Sequence, residues 1–95
     1  MPPAKFELLL SDEALSFLRA LEVRQRDRIL THLLELETDP FRPRPRADIK
    51  NCGRHHGVIF YRLRVGDFRA VYVVEGRGVK VTEIFRRGRG YRWLD

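Results

Sequence analysis

Ninety-five residues make one domain and not two, since domains cluster near roughly 100–150 residues. Hydrophobic residues at 43% and aromatics at 11% are enough to build a core, so disorder is not expected, and no apolar run approaches the ~18 residues of a membrane span. The single cysteine, Cys52, excludes an internal disulfide framework and a cysteine-rich zinc site. The N-terminus lacks an apolar core with a small-residue cleavage site, so a reducing cytoplasm is the expected setting.

In chain order, residues 5–10 read as a strand with Phe6, Leu8 and Leu10 on one face. Ser11 is placed to cap a helix, with Asp12 and Glu13 in its first turn and Ala14, Leu15, Leu18 and Leu21 at helical spacing. A break near residues 22–24 leads to a second helix with the stripe Ile29, Leu30, Leu33 and Leu34, and Asp39-Pro40 ends it. Both stripes are read as core. Residues 40–56 are expected to form a loop. Within it Pro40, Pro43 and Pro45 interleave with Arg42, Arg44 and Arg46, either as a phosphate-touching segment or as a solvated connector.

Three strand-like runs follow, at about 58–65, 68–75 and 79–85, with turn signals at Gly66-Asp67 and Gly76-Arg77-Gly78. The predicted fold is α+β in the order β-α-α-β-β-β, an antiparallel sheet with two helices on one face and the other face open for function. A two-residue turn at Gly66-Asp67 sets Val65 opposite Phe68, Arg64 opposite Arg69, Leu63 opposite Ala70, Arg62 opposite Val71 and Tyr61 opposite Tyr72. One face is then apolar, and the other carries Phe60, Arg62, Arg64, Arg69, Val71 and Val73. Strict alternation through residues 79–85 would bury Glu83. A bulge near Thr82-Glu83 is therefore expected, turning Ile84 to the core and Phe85 and Arg87 to the arginine face.

Charge is divided unevenly. Residues 1–39 hold five basic and eight acidic residues, net −3, whereas residues 40–95 hold fourteen and five, net +9. The second half therefore points to an anionic partner, either nucleic acid or an acidic protein. Sixteen of the nineteen basic residues are arginine, whose planar fork of donors suits phosphate. Like charges set directly opposite one another cost stability, so Arg64 against Arg69 implies a use for an anion. No carboxylate on either strand shares that face; the alternative is that the guanidiniums splay into water or pair with an acidic residue elsewhere. Arg69 and Arg87 are expected to be exposed enough to reach RNA and so dispensable for folding. Near the C-terminus, Tyr91 is expected to stack on bases and Trp93 to cap the core.

The run Tyr61-Arg62-Leu63-Arg64-Val65-Gly66-Asp67-Phe68-Arg69-Ala70-Val71-Tyr72, followed by Ile84-Phe85-Arg86-Arg87 and Tyr91, resembles the RelE/ParE toxin superfamily and in particular its RelE branch. The predicted element order matches as well, so the resemblance spans nearly the whole chain. Phe68 stands where that pattern has tyrosine, and Arg86 where histidine is frequent.

The resemblance implies the toxin of a type II toxin–antitoxin pair that cuts mRNA in the ribosomal A site, with the RNA's own 2′-hydroxyl as nucleophile and no metal or other cofactor. It implies catalytic roles for Arg62, Arg64, Arg69 (phosphate), Arg87 (leaving group) and Tyr91 (base stacking). Lys50, Arg86, Arg89 and Arg92 are the expected RNA-binding cations around them. Lys50, His55 and His56 are the titratable groups upstream, and the general base is left open among the candidates. The implied partners are an acidic RelB-like antitoxin, in an assembly that could be a heterotetramer, and the ribosome with its mRNA. The alternatives are a ParE-like toxin that inhibits gyrase without nuclease activity, and a cationic module that binds without catalysis.

Overall fold

The computed structural model describes residues 5–90. Strand β1 (Glu7–Leu10) leads into helices α1 (Asp12–Arg19) and α2 (Val23–Leu34), and one 3-10 turn (Glu35–Glu37) follows. Strands β2 (Asp48–His55), β3 (Val58–Val65), β4 (Phe68–Glu75) and β5 (Gly78–Arg86) complete the chain. The sheet order is β1-β5-β4-β3-β2. The architecture is the expected α+β arrangement, with two additions. β1 lies parallel to β5 at one edge, which the helical crossover between them makes possible. At the other edge, residues 48–55 of the expected loop form β2, antiparallel to β3.

Local chemistry accounts for the helices. Ser11 Oγ accepts from the Ala14 N–H at 3.0 Å, capping α1, while its own hydroxyl donates to the Thr82 carbonyl at 2.8 Å. One side chain thus ties the start of α1 to β5. After α2 the chain reverses at Asp39. Its carboxylate accepts from the Phe41 and Arg42 N–H groups at 2.8 and 3.2 Å, and chiefly the Phe41 bond holds that carboxyl below the usual range.

The Pro/Arg segment is fastened down. Arg44 donates to the carbonyls of Glu35, Asp39 and Arg42 at 2.8–2.9 Å, closing the end of the helical region. Arg42 faces Asp39 at 3.5 Å, and Arg44 and Arg46 both face Glu35 at 3.6 Å. Arg44 is thereby taken up in structure, while Arg42 and Arg46 stay largely exposed.

The helices cover one face of the sheet. Ala14, Leu18, Ile29 and Leu33 pack on Ile49, Leu63, Val65, Ala70, Tyr72, Val79, Val81 and Ile84. Each large side chain fully buried here contributes on the order of 1.5–3 kcal/mol. The end of this layer is closed by aromatics. Phe6 meets Phe41 edge-on at 5.8 Å, Phe41 meets Tyr61 at 5.6 Å, and Tyr61 stacks on Tyr72 at 5.5 Å.

The β3–β4 register is the expected one, residue for residue from Val65↔Phe68 to Tyr61↔Tyr72. The bulge in β5 is also present. Val71 pairs with Glu83 and Tyr72 with Val81, leaving Thr82 as the extra residue, so Val81 and Ile84 both reach the core. Phe85 turns to the opposite face, where it packs with Val71, Phe60 and Cys52.

Tyr72 is fully buried, and its hydroxyl donates to the Pro40 carbonyl at 2.6 Å. Burial pushes the phenol well above its ordinary range, so it remains a donor. Tyr72→Phe keeps the ring and loses that bond. The expected cost is about 1–2 kcal/mol, or roughly 5–10 °C in Tm, read by thermal and urea unfolding.

Candidate nucleic-acid interface

The sheet face away from the helices gathers cations from adjacent strands. β3 contributes Arg62 and Arg64, and β4 contributes Arg69 opposite Arg64. β2 contributes Lys50, directly across from Arg62. Lys50 thus joins the arginines because the chain upstream of β3 is a strand and not a loop. The alternation Ala47-Asp48-Ile49-Lys50, with Ala47 and Ile49 buried, is the sequence signal that would have located it.

β2 also brings a carboxylate. Asp48 stands opposite Arg64 in the register. Its Oδ2 lies 2.7 Å from Arg64 Nε, and its Oδ1 lies 3.4 Å from Arg62 Nη2. No carboxylate of β3 or β4 serves these arginines, as expected; the partner comes from the strand beyond. Arg62 is 9% exposed, whereas the Arg64 side chain is 55% exposed. A buried guanidinium needs such company, because an ion removed from water is costly unless it is paired.

Arg69 departs further from expectation, being only 5% exposed. β4 is the middle strand of the five, so Arg69 has Arg64 on one side and Phe85 on the other. Its Nη1 donates to the carbonyls of Gly66 and Phe68 at 2.8 and 3.1 Å. The side chain therefore folds back onto the β3–β4 turn and braces it.

Arg87 is exposed, as expected. Its backbone N–H donates to the Asp67 carbonyl at 2.7 Å, which extends the β5 ladder one residue past Arg86 and continues the alternation that sets Phe85 on the arginine face. Arg86 does not join that face. It pairs with Phe68 in the register and lies over the Phe68 ring at 4.9 Å, on the helix side of the sheet. Arg89 is exposed in the turn that follows, where its N–H donates to the Arg86 carbonyl. Tyr91, Arg92 and Trp93 lie outside the described residues. At Gly90 a Cβ would overlap the Phe85 ring, so the backbone of Gly90 itself runs directly against Phe85.

The histidines separate. His55 Nε2 lies 3.2 Å from the Cys52 carbonyl and its ring meets Phe60 edge-on at 6.5 Å, at the far end of this face. His56 occupies the tip of the β2–β3 turn. Cys52 is half-buried, and desolvation pushes its thiol up. Among the described residues no three of His, Cys, Asp and Glu gather as metal ligands would, and no helix is long and apolar enough to cross a membrane.

Arg69 and Arg87 should separate in a melting experiment. Arg69→Ala removes two charge-assisted hydrogen bonds and the packing beside Phe85, for an expected loss of about 1–3 kcal/mol. Arg87→Ala removes only an exposed side chain and should stay within about 0.5 kcal/mol.

Comparison with known proteins bears on the whole face. The family model for the ParE toxin of type II toxin–antitoxin system, parDE, matches residues 8–91. No curated protein matches by sequence. Among solved structures, a chain of the archaeal RelE–RelB complex from Pyrococcus horikoshii is similar at 25% identity and TM-score 0.76, over 90% of this chain and 99% of that one. A chain of the RelBE2 toxin–antitoxin complex from Mycobacterium tuberculosis has 17% identity and TM-score 0.70, over 87% and 99%. The isolated E. coli RelE toxin has 21% identity and TM-score 0.68, over 90% and 87%. The fold is thus RelE-like.

Proposed function

The chain belongs to the ParE toxin family of type II toxin–antitoxin systems, and on that premise we propose that it is a ribosome-dependent mRNA endonuclease held in check by an acidic antitoxin. The observation that carries this reading is the convergence of Lys50, Arg62, Arg64 and Arg69 from three adjacent strands on the sheet face away from the helices. A protein target needs no such cluster, whereas a phosphodiester under attack does.

In the reaction, the 2′-oxygen forms a bond to the adjacent phosphorus and the 5′-oxygen leaves, giving a cyclic phosphate. Negative charge builds on the non-bridging oxygens, and preorganised guanidiniums stabilise it. Arg64 is the exposed fork available to those oxygens, and the likewise exposed Arg87 is assigned to the leaving group in this reading. Arg62 and Arg69 lie deeper and supply field rather than contact. Guanidinium keeps its proton in any such site. Lys50 is the amine that the register sets beside the arginines, and in this reading it takes the 2′-hydroxyl proton while the departing 5′-oxygen takes one from solvent. The ribosome aligns the RNA, and that alignment accounts for much of the remaining acceleration.

The antitoxin reading rests on the net +9 of residues 40–95 and on the likeness to chains from RelE–RelB and RelBE2 complexes. Gyrase inhibition without cleavage is the second reading, and the ParE family model is the observation in its favour.

Primer extension on mRNA from induced cells, and on mRNA in purified translating ribosomes, distinguishes the two. Cuts that require the ribosome are expected. Lys50→Ala and Arg64→Ala should each lower the cleavage rate by roughly 100-fold, with stability changed by no more than about 1 kcal/mol, as for exposed charges. Intact mRNA together with altered plasmid supercoiling would establish the gyrase reading instead.

A further inference from the structure

We propose that Asp48 is a positioning residue of the arginine face, gripping Arg64 by its Nε so that the terminal nitrogens of that guanidinium meet the phosphodiester in one fixed orientation. This rests on the nuclease reading for its substrate, though the grip itself does not.

The geometry is specific. Asp48 and Arg64 are direct cross-strand partners, and the 2.7 Å contact is made to Nε. Asp48's second oxygen reaches Arg62 at 3.4 Å, so one carboxylate spans both arginines of β3. Neither contact takes the Nη pair of Arg64, and among the described residues no other ion pair or hydrogen bond does. Those two nitrogens form one edge of a planar fork suited to a phosphate's oxygens. An exposed arginine on a flexible stem would otherwise sample many orientations, and misplacement by about 1 Å can cost on the order of 100-fold in rate.

The carboxylate has a second effect. It reduces the net positive charge on the face, so it weakens general attraction to RNA while it fixes the geometry. Binding and turnover are therefore predicted to move in opposite directions when it is removed. A residue that merely stabilised the fold would move both the same way.

The test uses the full chain with Asp48→Ala and Asp48→Asn. Binding to a single-stranded oligoribonucleotide should be as tight or tighter for Asp48→Ala, with a salt dependence steeper by roughly 0.7 in log–log slope for one additional effective cation. Single-turnover cleavage at saturating programmed ribosomes should fall by roughly 10- to 100-fold. Asp48→Asn keeps the shape and one oxygen beside Arg64 but loses the charge, and should cleave at a rate between the two. Wild-type cleavage by Asp48→Ala would overturn the proposal. So would binding and cleavage that fall together with Tm.

A readout without activity separates this from the nuclease reading. Nitrogen-15 relaxation at Arg64 Nε should report a restricted side chain in the wild type and a mobile one in Asp48→Ala at unchanged Tm. A mobile Arg64 in the wild type would also overturn the grip. A restricted wild-type side chain without ribosome-dependent cuts would uphold the grip and defeat the nuclease.

Discussion

The arginine face exists because of the two-residue turn at Gly66-Asp67. Side chains alternate along a strand, so a slip of one residue in β3–β4 would send three arginines into the core and the apolar set into water. Gly66 has φ +57°, and a Cβ there would come within 2.9 Å of Arg28 Nη1. Glycine is thus required by backbone conformation, and the end of the flexible Arg28 side chain from α2 lies over it. Arg69 braces the same turn from the other side through the Gly66 and Phe68 carbonyls. The register that presents the cationic face is therefore partly secured by one of that face's own cations.

That arrangement divides the arginines by depth. Arg62 and Arg69 are buried, and their charge is met by Asp48 and by turn carbonyls. Arg64 and Arg87 remain toward solvent. Charge held beneath the surface is less screened by salt and water than charge at the surface, so the deeper pair acts at longer range. The exposed pair can make direct contact. In the proposed reading, such a face attracts an anion through one set of groups and engages it through another.

What the sequence made legible follows from which interactions are local. The β3–β4 register came from a turn signal and a period of two, both contained in twelve residues. The Thr82 bulge came from the cost of burying Glu83. β2 was hidden because Gly53 and the register shift between Asn51 and Arg54 break its alternation after four residues, and because its turn, His56-Gly57, is not a common turn pair. With β2 unseen, Asp48 had no place on the face. The burial of Arg69 could not be read from its own hairpin, because it depends on β4 having neighbours on both sides. Phe85 arrives from β5, and the order β1-β5-β4-β3-β2 is a property of the whole chain.

The family model carries the ParE name while the similar structures carry the RelE name. The two agree about the scaffold, and a scaffold does not determine an activity. What distinguishes the readings is chemistry on the open face. Inhibition of a protein target asks for shape and apolar contact, and an ion pair at such an interface can roughly break even against a hydrophobic contact. Phosphoryl chemistry asks for positive charge that is already oriented before the substrate arrives, because the stabilisation then costs no reorganisation. Here a cation on β2 stands beside two on β3, a third arginine is folded onto a turn, and a carboxylate holds the Nε of the exposed arginine with its terminal nitrogens left over. The like charges across Arg64 and Arg69 are eased by Asp48 at Arg64 and by the turn carbonyls at Arg69, and in the proposed reading the charge that remains exposed on Arg64 is what an anion meets.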